Sequence, residues 1–430
     1  MKRCLAFLLA LLLVASLVAC GGGSESEPEP TPNPEGDSII GTPEPLPPPV
    51  LTIGALFTLS GADRMIGEAQ LNTMRLWLDE RDWHIGPYEI ILDYRDDQGS
   101  VDLALTAVEE LIEAGADLLF GAHLTSVGHG MSELAISAGI PYIISSVPND
   151  NMTQRGRQEL LIRTGGSASQ FTHPFGYWAH IERGIQTVGI IAVDNTFGHE
   201  SVAGFRRTFE EAGGTVLGYP VWVPAGTTDF VPFLEQIPAE ADALFVQFYG
   251  EDARRVLEAI HDMDWEDTII LGGTTTTDEL VLHSLDPEIT SDIYSASSAS
   301  AASVEPFAAR LGIEPSAYAL EAYIALDLLE LAILEAGGFT DNFALFLQAV
   351  RAIEIETAKG NITIDEWNSA VLDVQIRQVW SEGINAPIYT FSAVSQFWRY
   401  DPDEFMALPA YDRDFDTAEH NRLLEAMRRE

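Results

Sequence analysis

Residues 50–57 read VLTIGALF and residues 67–81 read GEAQLNTMRLWLDER. The first run is apolar without alternation, which predicts a strand buried on both faces; the second predicts a helix. The pattern repeats in YEIILDYRDD (88–97) and in SVDLALTAVEELIEAG (100–115), with Ser100 at the helix cap and Gly115 at its end. It continues in ADLLFGA (116–122), GMSELAISAG (130–139) and IPYIISS (140–146). This alternation predicts an α/β fold with a parallel sheet between helices.

The alternation of strand and helix starts again after residues 165–169. TVGIIAVD (187–194) predicts a strand and HESVAGFRRTFEEAGG (199–214) a helix; ADALFVQFYG (241–250), EDARRVLEAIHDM (251–263) and DTIILGG (267–273) continue the series. About 350 residues are too many for one core. We therefore expect two lobes, each with its own sheet. The later elements, such as AYALEAYIALDLLELAILEAG (317–337), are too few for a third domain and should complete the first two.

The N-terminus indicates export and anchoring. Lys2 and Arg3 precede an apolar run at 5–19, which is long enough for a signal peptide but short for a membrane span. The run ends in LVAC, which resembles a bacterial lipobox and predicts cleavage before Cys20 and its lipidation. A plain secretory signal is the alternative. Residues 21–49 carry nine prolines and six acidic residues, which predicts a disordered spacer.

Composition excludes several function classes. Without Lys2 and Arg3 the chain has 21 basic and 66 acidic residues, and such a surface repels nucleic acid and anionic lipid. Cys4 is in the signal and Cys20 is the predicted lipid site, so the exported domain has no thiol for a disulfide or a cysteine metal site. We expect no cofactor and a monomer.

Several segments resemble one known family. IGALFTLSGADRMIGEAQLNTMRLWLDE (53–80), YRDDQGSVDLALTAVEELI (94–112) and IIAVDNTFGHESVAGFRRTFEEAGGTVLG (190–218) are similar to parts of type I periplasmic binding proteins of the branched-chain amino acid (Leu/Ile/Val-binding) group. So are the region 121–170 and AYALEAYIALDLL (317–329). The resemblance runs in order over about residues 50–380. It implies two Rossmann-like lobes, joined by three hinge crossings, that close on a small solute.

The resemblance also implies the domain plan and the role. The expected segments are a signal peptide at 1–19, an anchor and linker at 20–49, a first lobe at 50–167 plus about 298–365, a second lobe at 168–297 plus about 366–400, and a peripheral C-terminal tail at 401–430. The expected function is that of an extracytoplasmic lipoprotein, held at the cell membrane through Cys20, that delivers an amino acid, amide or organic acid to an ABC permease. A sensor that presents its ligand state to a membrane receptor is the alternative.

The first lobe offers hydroxyl side chains where its strands end. Ligands of open α/β sheets bind beyond the carboxyl ends of the strands, against helix N-termini. LLFGAHLTSVGHGMSELA (118–135) places Thr125 and Ser126 there, where the resemblance gives Ser126 a ligand carboxylate. Either hydroxyl could instead only cap the helix. IISSVPND (143–150) adds Ser145 and Ser146, but Pro148 stands where the family often has a hydroxyl.

The second lobe offers aromatic side chains. VDNTFG (193–198) presents Asp194 and Phe197, and VQFYGED (246–252) presents Tyr249; an aromatic residue at a strand end can equally fill the core. The resemblance places Thr274 where amino-acid binders carry a glutamate that pairs with the ligand ammonium. Because a buried cation needs a carboxylate, this departure favours a ligand without a free α-amino group. Asp150, Asp194, Glu251 or Asp278 could supply the missing charge.

Enzymatic function has little support in the sequence. Ser126 is not part of a G-x-S-x-G motif, because Leu124 precedes it, and HESVA at His199 lacks the second histidine of a zinc protease motif. His123 and His129 flank the Thr125–Ser126 loop, and without an acidic partner they are interpreted as structural rather than as metal ligands. A membrane-anchored hydrolase remains the weaker alternative, and we expect neither catalytic nor metal-binding residues.

Overall fold

A six-stranded sheet organises the N-terminal half of the folded chain in this computed structural model, which describes residues 47–263, 265, 268–339 and 343–429. The predicted signal peptide, Cys20 and most of the predicted spacer lie outside the described residues. The strand order is β2-β3-β1-β4-β5-β6, and every pair is parallel except β2–β3. Its elements are β1 (Val50–Phe57), α1 (Arg64–Asp79), β2 (His84–Ile85), β3 (Tyr88–Asp96), α2 (Val101–Glu113), β4 (Leu118–Gly121), α3 (Thr125–Ala138), β5 (Tyr142–Ile144), α4 (Asn151–Gln154) and β6 (Leu161–Arg163).

A second sheet follows along the chain. Its parallel part runs through α5 (Ala168–Ile181), β7 (Thr187–Val193), α6 (Thr196–Glu211), β8 (Thr215–Val216), β9 (Val221–Val223), α7 (Val231–Leu234), β10 (Ala243–Gln247), α8 (Gly250–Asp262), β11 (Ile269–Gly272), α9 (Glu279–Leu282), α10 (Pro287–Thr290) and β12 (Tyr294–Ser297). The remaining elements are α11 (Ala301–Leu311), α12 (Ala317–Ala336), α13 (Phe343–Arg351), β13 (Glu354–Thr357), β14 (Gly360–Ile364), β15 (Ala370–Val379), β16 (Asn385–Val394), α14 (Pro402–Ala407) and α15 (Thr417–Met427). The last four strands extend this sheet in antiparallel fashion, in the order β13-β14-β15-β12, with β16 on β15.

The helix α12 brings the chain back to the first sheet. The indole nitrogen of Trp77 in α1 donates a hydrogen bond to Asp327 (2.8 Å), and Arg81 donates to Glu330 (2.8 Å). We call β1–β6 with α1–α4, α12, α13 and the hairpin β13–β14 the first lobe, and β7–β12, β15 and β16 with α5–α10 the second lobe; the hairpin pairs with β15 across the boundary. The chain passes between them at 164–167, at 298–300 and at 365–369. These contacts place α12 on the first sheet; the bounds of the two predicted lobes stay a prediction.

The helix α3 begins five residues earlier than the predicted Gly130. Two glycines made the segment read as a loop, but both are packing positions. A Cβ on Gly128 would lie 2.4 Å from Val147, and one on Gly130 would lie 2.5 Å from Leu105. Close approach of neighbouring side chains therefore explains these glycines, and Thr125 becomes the first residue of the helix.

The sequence suggested a peripheral tail after residue 400. In the structure this segment packs against the rest of the protein. Phe405, Tyr411 and Phe415 are buried together with Ala203 of α6. Arg155 of the first lobe donates hydrogen bonds to main-chain carbonyls of this segment, at 3.1 Å and 2.9 Å. The overall polar composition of the segment predicted exposure, but these three aromatic side chains pack into the protein and hold the segment against it. Among the described helices none is both long and apolar enough to cross a membrane.

Candidate functional site

A cavity of about 480 Å³ lies between the two lobes, a size suited to a small organic ligand. The residues that line it come from the strand ends and helix starts of both sheets and from α12. They are Asp63, Gly99, His123, Leu124, Thr125, Ser126, Ser146, Pro148, Gly166, Phe171, Asn195, Thr196, Phe197, His199, Ala225, Tyr249, Thr274, Thr275, Asp278, Ser297, Ala317, Tyr318 and Glu321.

The start of α3 forms the centre of the first-lobe wall. Leu124 occupies the N-cap position and makes no side-chain cap bond. An α-helix leaves its first N–H groups without intrahelical partners, so this end can receive an oxygen-rich group. The buried hydroxyl of Thr125 has no hydrogen-bond partner either. Thr125 therefore does not cap the helix, and its hydroxyl is buried in the cavity wall without a described partner.

His123 carries a second unused group in the same wall. Its Nδ1 lies 3.3 Å from the hydroxyl of Thr58, whereas its buried Nε2 has no hydrogen-bond partner in the described part of the chain. The nearest charge to Nε2 is the carboxylate of Asp63, at 3.7 Å. Buried polar atoms are almost always satisfied in proteins. Two unsatisfied atoms on one cavity wall therefore suggest that a ligand completes them.

The second-lobe wall is aromatic and internally bonded. The side-chain oxygen of Asn195 accepts from the N–H of Gly198 and caps α6 (3.1 Å), and its amide donates to the hydroxyl of Tyr249 (3.2 Å). The rings of Phe197 and Tyr249 lie 5.8 Å apart. Burial raises the pKa of Tyr249 above its usual range, so its phenol is neutral and can donate a hydrogen bond.

Asp278 connects the two lobes at the cavity. One of its carboxylate oxygens accepts from the N–H of Leu280 (3.0 Å) and so caps α9. The other accepts from the N–H of Ala317, at the start of α12 (3.1 Å). Burial raises the pKa of Asp278 to about 6, against the opposing effect of these hydrogen bonds. The carboxylate is therefore mostly ionised at neutral pH.

Glu321 lies one turn further along α12. One of its oxygens lies 3.3 Å from the ammonium of Lys359, whose side chain is 1% exposed. Lys359 follows β13, and it reaches Glu321 from behind the cavity wall. Its charge partly balances that of Glu321, and Lys359 itself does not line the cavity.

Six of the eight predicted ligand residues line the cavity, and two do not. The six are Thr125, Ser126, Ser146, Phe197, Tyr249 and Thr274. Ser145 is fully buried behind the wall, with its hydroxyl 3.4 Å from that of Ser146. Asp194 is held away by His199 (2.9 Å) and by Arg413 of the C-terminal segment (3.3 Å). Ser126 is exposed at the cavity, whereas Thr125 is buried.

Other cavity residues were missed or left open. Asp63 lies in the stretch LSGADR, after the carboxyl end of the central strand β1. This position could have identified it as a candidate ligand-binding residue from the sequence. Tyr318 and Glu321 are three residues apart at the start of an apolar helix, and no local pattern marks them. Of the four acids considered as a substitute for the residue replaced by Thr274, only Asp278 lines the cavity. In the described part of the chain no group of three His, Cys, Asp or Glu side chains could hold a metal ion.

Comparisons with known proteins agree with this architecture. The profile of the periplasmic binding protein family matches residues 50–383. The chain is 24% identical over 324 residues to the Leu/Ile/Val-binding protein BraC3 of Rhizobium johnstonii, an alignment covering 74% of this chain and 88% of that protein.

Two solved structures illustrate the likeness in fold. One is an ABC transporter substrate-binding protein from Sphaerobacter thermophilus, with a TM-score of 0.74 and 26% identity over 80% of this chain and 99% of that one. The other is a solute-binding protein of an ABC transporter from Rhodopseudomonas palustris in complex with 3,4-dihydroxy benzoic acid, with a TM-score of 0.74 and 23% identity over 81% of this chain and 98% of that one.

Proposed function

The chain belongs to the periplasmic binding protein family, and from this premise we propose that it captures a small organic ligand between its two lobes, outside the cytoplasm, and delivers it to an ABC importer. The solute-binding character of the family supports a binding role rather than catalysis. The observation that carries the proposal is the cavity lined from both lobes, with the unsatisfied Thr125 hydroxyl and His123 Nε2 in its wall.

The start of α3 is the proposed site for an oxygen-rich end of the ligand. It combines an uncapped helix N-terminus with the free hydroxyls of Thr125 and Ser126. Backbone N–H groups and the helix dipole both favour negative charge at this point. Proteins of this fold have been solved in complex with benzoate and with isoleucine, and both ligands carry a carboxylate end, which is consistent with this placement.

The aromatic wall of the second lobe is proposed to close over the ligand. Phe197 and Tyr249 stand opposite α3, on segments that follow β7 and β10. Lobes joined by three short segments can rotate about them as rigid bodies. Closure would then exclude water and strengthen the hydrogen bonds to the ligand.

Small-angle X-ray scattering with and without ligand tests this function. A thermal-shift screen of amino acids, carboxylates, amides and amines first identifies a compound that raises the melting temperature. At saturation that compound should reduce the radius of gyration, because the lobes come together. A compound that binds with an unchanged radius of gyration would contradict the two-lobe mechanism and indicate a surface site.

We further propose that Cys20 is lipidated and tethers the folded domain through the spacer that follows it. The lipid would hold the protein at the membrane without contributing contacts to the core. Cys20→Ser should move the protein from the membrane fraction to the soluble fraction and leave the melting temperature of the folded domain unchanged. Retention of the variant in the membrane fraction would contradict the tether.

A further inference from the structure

We propose that the cavity selects a ligand with a positively charged nitrogen, and that Asp63, Asp278 and Glu321 are the residues that select it. The inference rests on the proposed function and names the ligand class of the same cavity. The three carboxylates lie on three different elements: the segment before α1, the cap of α9 and the first turns of α12.

The charges around the cavity do not balance. Asp63, Asp278 and Glu321 line it, and no lysine or arginine is among the described lining residues. The two nearby cations, Lys359 and Arg377, are buried behind the wall. A buried carboxylate is costly unless a cation or hydrogen bonds compensate for it. The cavity as it stands favours a positive charge inside it.

Arg377 is the stronger candidate to neutralise the wall from behind, but its hydrogen bonds go elsewhere. Its guanidinium donates to the hydroxyls of Ser295 (3.1 Å) and Thr277 (2.8 Å) and to the carbonyls of Ala299 (2.9 Å) and Thr274 (3.3 Å). It forms no ion pair within 4.0 Å with a carboxylate of the described chain. Behind the wall Glu279 is buried with both carboxylate oxygens unpartnered among the described residues, and burial raises its pKa to about 7, so that it is only partly ionised at neutral pH. The local excess is therefore negative.

The three carboxylates differ in how far their charges and oxygens are already engaged by partners in the protein. Among the described residues, the carboxylate of Asp63 has one basic partner within 4.0 Å, His123, at 3.7 Å. Glu321 contacts Lys359 through one oxygen. Asp278 accepts a backbone N–H with each oxygen, and its charge is balanced only in part, by Arg377, with which it forms no ion pair within 4.0 Å. Burial, with a smaller contribution from the charge of Glu321, raises the pKa of Asp278 to about 6 against the lowering effects of its two hydrogen bonds and of the Arg377 charge.

Two unsatisfied atoms indicate that a ligand meets this charged region. His123 Nε2, on a side chain that is 3% exposed, lies beside Asp63 without a hydrogen-bond partner. The hydroxyl of Thr125, two residues further along, is also buried and unpartnered. A ligand that places an ammonium against the carboxylates and a polar group against these two atoms would satisfy both sets at once.

Aromatic faces complete the environment of a cation. Phe171, Phe197, Tyr249 and Tyr318 all line the cavity. Aromatic faces attract organic cations, and desolvation strengthens the attraction. Because the described carboxylates do not converge into a group that could hold a metal ion, an extended organic cation fits better than a bound metal.

The structure thereby changes the basis of the earlier ligand hypothesis. That hypothesis favoured a ligand without a free α-amino group because Thr274 replaces the expected glutamate. Thr274 does line the cavity, but Asp278 lies four residues further along the same loop and also lines it. The carboxylate that Thr274 does not provide is therefore supplied to the cavity by Asp278.

Two matched sets of probes test the inference by calorimetry on the folded chain. One set is leucine, 4-methylpentanoate and 3-methylbutylamine; the other is phenylalanine, 3-phenylpropanoate and 2-phenylethylamine. Within each set the carbon skeleton is similar, and the members carry both charged ends, only the carboxylate or only the ammonium. We expect the tightest member of the better set to carry the ammonium, and to bind at least about 10-fold more tightly than the carboxylate-only member.

The variants Asp63→Asn and Glu321→Gln should each weaken that tightest probe by about 10- to 100-fold, the range for a hydrogen bond to a charged group. They should leave the carboxylate-only member nearly unchanged. Glu113→Gln, which removes an exposed charge from α2 outside the cavity, is the matched control and should change neither affinity. If Glu321→Gln fails to fold because it leaves Lys359 without its charged partner, Asp63→Asn alone decides.

Tighter binding of 4-methylpentanoate or 3-phenylpropanoate than of any ammonium-bearing probe would overturn the inference. If that acid also reduced the radius of gyration, the proposed function would stand while the ligand class failed. Equal loss of affinity in Asp63→Asn and in Glu113→Gln would also overturn the inference, because it would reflect overall charge. Absence of binding by all six probes would reject this ligand class at this size.

Discussion

The two walls of the cavity use their polar groups in different ways. On the first-lobe wall His123 Nε2 and the hydroxyl of Thr125 are buried without partners. On the second-lobe wall Asn195 bonds both to the N–H of Gly198 and to Tyr249. The hydroxyl of Thr275 likewise donates to the carbonyl of Phe248 (2.6 Å). The unpartnered atoms lie on the first-lobe wall, whereas these side chains of the second-lobe wall are bonded within the chain, apart from the charged carboxylate of Asp278.

The difference begins at two helix starts. Asn195 precedes α6 and caps it through its side chain, whereas Leu124 precedes α3 and cannot. Both helices follow a central strand of a parallel sheet, so their positions are equivalent in the architecture. We infer that the ligand binds first to the first lobe, through the free groups at α3. The second lobe then closes as a preformed aromatic surface.

The largest expected effect tests whether the carboxylate of Glu279, buried behind the second-lobe wall, lacks a compensating charge. Burial raises the pKa of Glu279 to about 7, and the nearby charge of Asp278 acts in the same direction. The folded chain then holds a proton that the unfolded chain releases near pH 4.5. Stability is therefore complete at low pH and is lost as the pH rises through 7. At pH 8 Glu279→Gln should be more stable than the unchanged protein by about 3 kcal/mol.

Urea unfolding from pH 5 to pH 8 measures this effect. The difference in the free energy of unfolding between Glu279→Gln and the unchanged chain should be small at pH 5 and grow with pH. Glu288→Gln, an exposed position on the neighbouring helix α10, is the control and should show no such growth. A difference between the two proteins that does not grow with pH would mean that Glu279 is compensated in the folded state.

The next effect contrasts two threonines, one on each wall. Thr125→Val should weaken ligand binding by about 1–3 kcal/mol, because the free hydroxyl is available only to the ligand. Thr275→Val should reduce the stability of the fold by about 1 kcal/mol and change binding less, because its hydroxyl is already bonded to Phe248. Calorimetry and thermal unfolding of both variants separate the two roles. Equal losses of affinity would remove the distinction between the walls.

These contrasts also explain what the sequence could predict. The strands and helices follow from local periodicity and helix-end residues, so the α/β architecture and the loops at the strand ends were accessible. Thr125, Phe197 and Tyr249 were found because each directly follows a strand or begins a helix. Ser145 is buried and is not among the described lining residues, because side chains at a strand end alternate in direction from one residue to the next.

Contacts between distant parts of the chain were not accessible. Asp194 stands at a strand end, yet Arg413, far along the chain, draws its carboxylate away from the cavity. Asp63 and Glu321 meet the same cavity only because α12 returns to the first lobe. No pattern within a single helix or strand encodes such a meeting, so the excess of carboxylates in the cavity required the folded structure.

The smallest expected effect concerns the place where the walls touch. Gly250 begins α8 on the second lobe with a φ of +52°, and a Cβ there would lie 2.6 Å from a carboxylate oxygen of Asp63 on the first lobe. Gly250→Ala therefore adds backbone strain in every state and a clash only when the lobes are closed. Gly226→Ala is the matched control, because Gly226 has a φ of +78° and nothing within 4 Å of its added Cβ.

Both variants should lose about 1 kcal/mol of stability. Only Gly250→Ala should also weaken ligand binding, by less than about 1 kcal/mol because the Asp63 side chain can turn aside. Calorimetry in an Asp63→Ala background decides the cause: the extra loss should disappear there, and its persistence would show that Gly250 acts within the second lobe alone.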